Sequence, residues 1–467
     1  MINKNFWNIT SIYGIGFVFL RGISFLLLPL YTNLLSTKEA GQTFVFLAFL
    51  AFMNAFFAMG MDSSLLKYYN NKNSISTSFM GLFVVVLPLI VFLLLFSNVL
   101  SAALFNNQPV WIFASIIVLS LDVFSSRIIT IIRVLQLPFY YLTVCLANVI
   151  TSLILNIFFL QALELSVLGV LLAMIGTSFI QLVFSIPVLF KFPFNLTFDY
   201  KLFKKMLMFA WPFFPAAVFL IIIELSDRFM IQYFLGLESV GLYGAGYKVA
   251  ALILIIIKAF NLNWQPHYLK QEKNNAQLAQ KEFEQIGNLA IVGLIFLGTI
   301  LCMFYPFFFT LSWNGFSIIG AEFLAGRSVI PWVVCGYILY GVFILQMPSI
   351  YLKNKQLWAP VFWGCGALIN ILCNLILIPK LGFVGAGIST LIAYTTMAVF
   401  IYYKNRVWLP IKYNMKLIFI VMLISLFFLS TTIIYKTLFI FLISPAIYSL
   451  LIGRLLVFYK KTTIQEK

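Results

Sequence analysis

Long apolar stretches separated by short polar ones recur from one end of the chain to the other. A helix that crosses a bilayer needs about 20 mostly apolar residues, and roughly fourteen stretches reach that length. They lie near 7–32, 39–60, 79–104, 109–133, 138–160, 164–190, 206–234, 238–262, 286–310, 328–351, 357–379, 384–403, 415–435 and 437–458. The runs are long and do not alternate with period two, so they predict helices rather than barrel strands. The expected fold is an all-α integral membrane protein.

Composition agrees. Of 467 residues, 63% are hydrophobic and 9% charged, against about 25% charged in soluble domains. The net charge of +17 changes the picture only once it is placed along the chain. With a cytoplasmic N-terminus, about 21 Lys/Arg fall in cytoplasmic loops and ends, and about four (Lys38, Arg327, Lys380, Lys436) fall outside. This is a positive-inside bias, so nucleic acid is not an expected partner. An even number of spans puts both termini in the cytoplasm.

The first run is too long for a signal-peptide core and no A-x-A site follows it. The first span is therefore expected to stay in the mature protein. Five cysteines (Cys145, Cys302, Cys335, Cys365, Cys373) lie in apolar runs without metal-ligand spacing. The one histidine, His267, reads as a solvated loop residue in the polar connection near 263–286. No P-loop, metal cluster or nucleophile–base pairing is present, so neither a metal nor a catalytic site is expected, and an enzyme is the weaker class.

The chain repeats itself. "LSTKEAGQTF" (35–44) matches "LGLESVGLYG" (235–244) at Leu35/Leu235 and Gly41/Gly241. "NVITSLILNIFFL" (148–160) resembles "GALINILCNLILI" (366–378). Asn148, Ser152 and Asn156 form one helix stripe, and Gly366, Asn370 and Asn374 form another. The pattern predicts two parallel six-helix halves, 1–195 and 196–410, with two appended helices and a tail in 411–467. Parallel repeats about an axis along the membrane normal are a transporter architecture, with substrate held between them.

Charges inside spans are costly and mark partners or pathways. Eight fall there: Arg21, Asp122, Arg127, Glu224, Asp227, Arg228, Lys248 and Lys258. Glu224 and Arg228 have the i, i+4 spacing of an intrahelical pair. Asp227 is left over, toward the outer end of span seven, where interfacial water would meet it. Lys248 and Lys258 share a face of span eight with Gly241, Gly244, Ala251 and Ile255. Lys258 is close enough to the interface to snorkel; Lys248 is too deep. In span four, Ser115, Asp122, Ser126, Thr130 and Arg133 share a polar face, and Arg127 lies off it. Arg21, near mid-membrane, has no acid within a turn; either Asp122 on another helix pairs with it, or it offers a planar fork to an anion. Five cations against three acids favour an anionic substrate. Pro212 and Pro215 open span seven and are candidates for a kink or hinge.

The stretch 202–270 resembles the second-half signature of the polysaccharide-export flippases of the multidrug/oligosaccharidyl-lipid/polysaccharide (MOP) superfamily. The matching elements are Lys204–Lys205, Pro212/Pro215, Asp227–Arg228, Val240–Gly241 with Tyr243, Lys248, and Trp264 with Pro266. The resemblance implies an O-antigen-type flippase of the bacterial inner membrane, serving lipopolysaccharide or a related surface polysaccharide. Such proteins move an undecaprenyl-diphosphate-linked oligosaccharide from the cytoplasmic to the periplasmic leaflet by alternating access, without ATP. For such a substrate the five intramembrane cations (Arg21, Lys248, Arg127, Lys258 and Arg228) are expected to form a cationic cavity, with Arg21 and Lys248, near mid-bilayer on corresponding halves, gripping the diphosphate. No cofactor is expected. Coupling to an H+ or Na+ gradient would fall to Asp227, Asp122 or Glu224. Membrane lipids, a polysaccharide polymerase and chain-length machinery are the implied partners. Two alternatives share the plan. A lipid II flippase places arginines on several cavity helices including span two, which has none here, and a multidrug–cation antiporter usually has twelve spans and cavity acids. A glycan polymerase would need a large external loop or a catalytic cluster.

Overall fold

A computed structural model describes residues 14–456 apart from 15, 17, 21, 70, 72, 192–196, 212, 272–275 and 435–443. Among the described residues, ten helices are long and apolar enough to cross a membrane and three shorter apolar helices accompany them. In chain order these are α1 (Val18–Leu34), α2 (Thr37–Tyr68), α3 (Ser74–Leu95), α4 (Val110–Val134), α5 (Pro138–Ala162) and α6 (Ser166–Phe190). The stretch Phe214–Leu269 folds as two arms, α7 before Gly236 and α8 after it. Then come α9 (Gln280–Phe308), α10 (Ala321–Leu352), α11 (Trp358–Leu381), α12 (Val384–Trp408), α13 (Met415–Thr431) and α14 (Ser444–Leu456). Counting both arms, this is the all-helical, fourteen-span plan that the apolar runs predict. A minimal hairpin, β1 (Ser312–Trp313) with β2 (Phe316–Ser317), joins α9 to α10. The chain divides into two compact units, Met1–Gly244 and Ala245–Lys467, with the boundary inside α8.

The helices are inverted relative to those of a soluble protein. On α5, Ile150, Ile154 and Ile157 are exposed while Ser152 and Asn156 are buried. On α11, Leu368, Leu372 and Leu375 are exposed while Asn370 and Asn374 are buried. Lipid solvates the aliphatic faces, and amides pair inside because hydrocarbon offers them no partner. Asn156 accepts from the Tyr31 hydroxyl (3.1 Å) and donates to the Ser152 carbonyl (2.8 Å). Asn374 donates to the Asn370 side chain at 3.0 Å. In the first repeat the stripe thus ties α5 to α1 through Tyr31, and in the second Asn370 and Asn374 pair along one face of α11.

The repeated turn is also explained. Ser36 caps α2 in a capping box with Glu39. At the equivalent place in the second repeat stands Gly236, with φ 83° and ψ 173°. That conformation favours glycine, and it reverses the chain so that α8 returns beside α7. The two glycines matched in sequence then meet. A Cβ on Gly41 would strike the Leu237 carbonyl, and one on Gly241 would strike the Thr37 carbonyl. Leu237 and Thr37 are themselves equivalent in the repeat, so the contact is reciprocal, as a local two-fold requires.

Two expectations change. The polar connection near 263–286 is not an open loop: α8 runs on as helix to Gln271, and helix resumes at Ala276. His267 is accordingly helical. It stacks on Trp264 (ring centroids 5.9 Å apart) and meets Glu282 at 3.1 Å.

Candidate functional site

Among the described residues of the first unit, two clusters gather buried charge. The first follows from the Gly236 reversal. In a continuous helix, Asp227 and Tyr243 would stand about 24 Å apart. Instead the Tyr243 hydroxyl donates to Asp227, so α7 and α8 run antiparallel. Asp227 is 0% exposed and takes an ion pair from Arg228 at 2.7 Å. Arg228 also donates to the Glu224 backbone carbonyl at 2.6 Å, and its guanidinium lies 5.6 Å from the Tyr243 ring centre. Glu224 and Arg228 do meet, through the Glu224 carbonyl, and Arg228 also forms an ion pair with Asp227. One expectation is corrected. Asp227 does not sit in interfacial water; burial among α7 and α8 removes it from solvent.

The second cluster forms where α2 breaks. Met59 and Gly60 adopt left-handed φ values of 44° and 65°, ending the first segment at Ala58. A carbonyl at a helix end lacks an intrahelical donor, and Arg127 of α4 supplies one to Ala58 at 3.0 Å. Arg127 also pairs with Asp62, whose other oxygen accepts from Ser126 at 2.7 Å. Arg127 is therefore committed to α2, and is not the open cavity cation expected from its position. Asp62 falls beyond the predicted second span, 39–60, and so was not counted among the intramembrane charges. Its place two residues past Gly60 was the available signal. Tyr243 was recognised in the motif, but its hydrogen bond to Asp227 depends on the fold-back at Gly236.

The other candidates are dispersed. Asp122 on α4 faces the Ser178 hydroxyl of α6. Lys248 and Lys258 are half-buried on the part of α8 that belongs to the second unit. Pro215 is the third residue of the helix that begins at Phe213. Its missing N–H falls where no intrahelical bond would form, so the described sharp turn of this helix pair is at Gly236. Arg21 and Pro212 lie outside the described residues. No group of three or more His, Cys, Asp or Glu among the described residues is placed to hold a metal ion.

A model of polysaccharide biosynthesis proteins matches residues 6–264, more than half of the chain. The chain belongs to this family. No curated protein matches it in sequence. Among solved structures, that of the lipid II flippase MurJ in an inward closed conformation is similar, with a TM-score of 0.75 at 16% identity, over 97% of this chain and 100% of that one. Outward-facing and inward-facing structures of a multidrug resistance MATE family transporter of the MOP superfamily match with TM-scores of 0.64 and 0.61 at 12% and 13% identity. Each covers 85% of this chain and 94% of the other. At these identities the likeness establishes the fold. The family member therefore folds as MOP transporters do, in line with the resemblance carried by residues 202–270.

Proposed function

We propose that this protein is a flippase that carries an undecaprenyl-diphosphate-linked oligosaccharide, an O-antigen or related surface-polysaccharide unit, from the cytoplasmic to the periplasmic leaflet. The observation that carries the reading is the combination of a polysaccharide biosynthesis family match over residues 6–264 with a transporter fold along 97% of the chain. The diphosphate and sugars are what a bilayer resists, while the lipid tail can remain in lipid. Alternating access of the two repeats moves the polar part across. The protein lies in the bacterial inner membrane with both termini cytoplasmic, as the Lys/Arg asymmetry supports. A proton or sodium gradient drives the cycle through Asp122, Asp227 or Glu224, and the product passes to a polymerase and its chain-length partner.

Arg21 and Lys248 grip the diphosphate, Arg21 through two parallel hydrogen bonds and Lys248 as a point charge. In cells lacking their own flippase, surface glycan and membrane abundance are measured together. Arg21→Ala and Lys248→Ala are expected to lose glycan display at normal abundance, and Arg21→Lys to be impaired despite keeping its charge. Normal display in either alanine variant removes that residue from the grip.

A second reading, a lipid II flippase, is favoured by the MurJ likeness. Against it, α2 carries no arginine. Rescue of a strain depleted of its lipid II flippase, without rescue of surface glycan, would select it.

A further inference from the structure

Two cavities in the first unit are neighbours and are taken together as one groove. The upper, about 550 Å³, has Lys38, Asn106, Gln232, Tyr233 and Glu238 in its wall. The lower, about 270 Å³, is walled by Phe49, Phe52, Met53, Ile222 and Leu225, with Ser226 its one hydroxyl-bearing residue. Leu104 and Phe229 belong to both walls.

Topology fixes the order of the two. The turns near 35–37, 104–109 and 235–237 each lead from an odd-numbered helix to an even one, so all three lie on one membrane face. The upper cavity opens there. Phe49 is twelve residues into α2 and Phe229 seven residues before Gly236. At 1.5 Å per residue the lower cavity lies roughly 10–24 Å beneath that face, within a hydrocarbon layer about 30 Å thick. The groove is polar at the interface and apolar in the hydrocarbon.

The polar part suits hydroxyl groups. Lys38 donates, Glu238 accepts, and their charges offset each other. Asn106 can do both. Gln232 donates to the Leu104 carbonyl at 2.9 Å, which fixes its amide, and no protein donor reaches its buried Oε1. An acceptor buried without a donor costs about 1–3 kcal/mol, and a sugar hydroxyl is a donor. Tyr233 is 83% exposed, leaving a ring face against which the C–H face of a sugar can stack.

Resting on the flippase reading above, we infer that this groove seats the lipid-linked glycan at the face where the upper cavity opens. The isoprenoid chain lies between α2, α7 and the short helix Ser97–Leu104 that follows α3, and the sugars lie against Gln232 and Tyr233.

Photo-cross-linking tests this in the full-length protein. A benzophenone amino acid replaces Leu225 in membranes of cells that make the glycolipid, and adducts are identified by mass spectrometry. The same replacement at Phe52 guards against a folding defect at Leu225. The expected result is a polyprenyl-linked glycan adduct on the order of tenfold above that captured at Leu426, a lipid-facing position on α13. Gln232→Leu and Tyr233→Ala should lower the yield about threefold or more. Phospholipid adducts alone, or equal yield at Leu426, overturn the groove. Surface glycan is scored in the same cells. If display persists while Leu225 and Phe52 capture only phospholipid, the groove is wrong and the flippase reading stands. If the unsubstituted chain restores no display and no polyprenyl adduct forms, both fall.

Discussion

Two described buried arginines of the first unit, Arg127 and Arg228, show how depth decides the cost of a charge. Arg127 pairs with Asp62, whose side chain is 35% exposed; Arg228 pairs with Asp227, which is 0% exposed. The segment Thr37–Ala58 has 22 residues, about 33 Å of helix, so Asp62 lies at the membrane surface opposite the start of α2. Asp227 lies nine residues before Gly236, about 13 Å from the other face and inside the hydrocarbon. Water can rehydrate Asp62 when its partner is lost. It cannot reach Asp227, and that carboxylate accordingly has a second donor, Tyr243.

Breaking the deeper pair on one side should have the largest effect. Arg228→Gln leaves a buried carboxylate without its ion-pair partner, and the expected loss is about 3–5 kcal/mol. Little folded protein should accumulate in the membrane. Adding Asp227→Asn should recover part of that loss, because the stranded charge goes with its partner. Equal accumulation of the single and double variants would show that the two residues are not coupled.

The surface pair should be asymmetric. Asp62→Ala strands a wholly buried Arg127 and should cost about as much as Arg228→Gln. Arg127→Gln leaves Asp62 in reach of water and should cost on the order of 1–2 kcal/mol, chiefly for the Ala58 carbonyl and the Ser126 contact. Thermal unfolding in detergent, compared between these two variants, gives the ranking; an Arg127→Gln shift as large as that of Asp62→Ala would remove the role of depth. Tyr243→Phe deletes one hydrogen bond to a charged group, at a cost of about 1.5–3 kcal/mol, below that of Arg228→Gln because the Arg228–Asp227 pair remains. An unchanged midpoint would show that Tyr243 does not support Asp227.

The helical plan was legible because apolar run length alone specifies a span. The repeat was legible from Gly41/Gly241 and the asparagine stripes, since a residue forced by close packing must recur wherever that packing recurs. The ion pairs were not. The spacing of Glu224 and Arg228 describes a lone helix, but the Tyr243 donor to Asp227 arrives from α8, which needs the reversal at Gly236. Asp62 was hidden because α2 continues past its break as Met61–Tyr68, and hydropathy does not mark a break followed by more helix. The groove was invisible because its walls come from four separate stretches, near 38–53, 100–106, 221–229 and 232–238.

The most direct measurement of the central claim is flipping itself. The purified full-length protein is placed in liposomes carrying an undecaprenyl-diphosphate oligosaccharide, and a membrane-impermeant oxidant titrates the glycan accessible from outside. With the protein present, the glycan pool first protected in the inner leaflet should become accessible far faster than in protein-free liposomes, and Lys248→Ala should remove the acceleration. A protected pool that persists equally with and without the wild-type protein, under each ion gradient applied, would contradict the account.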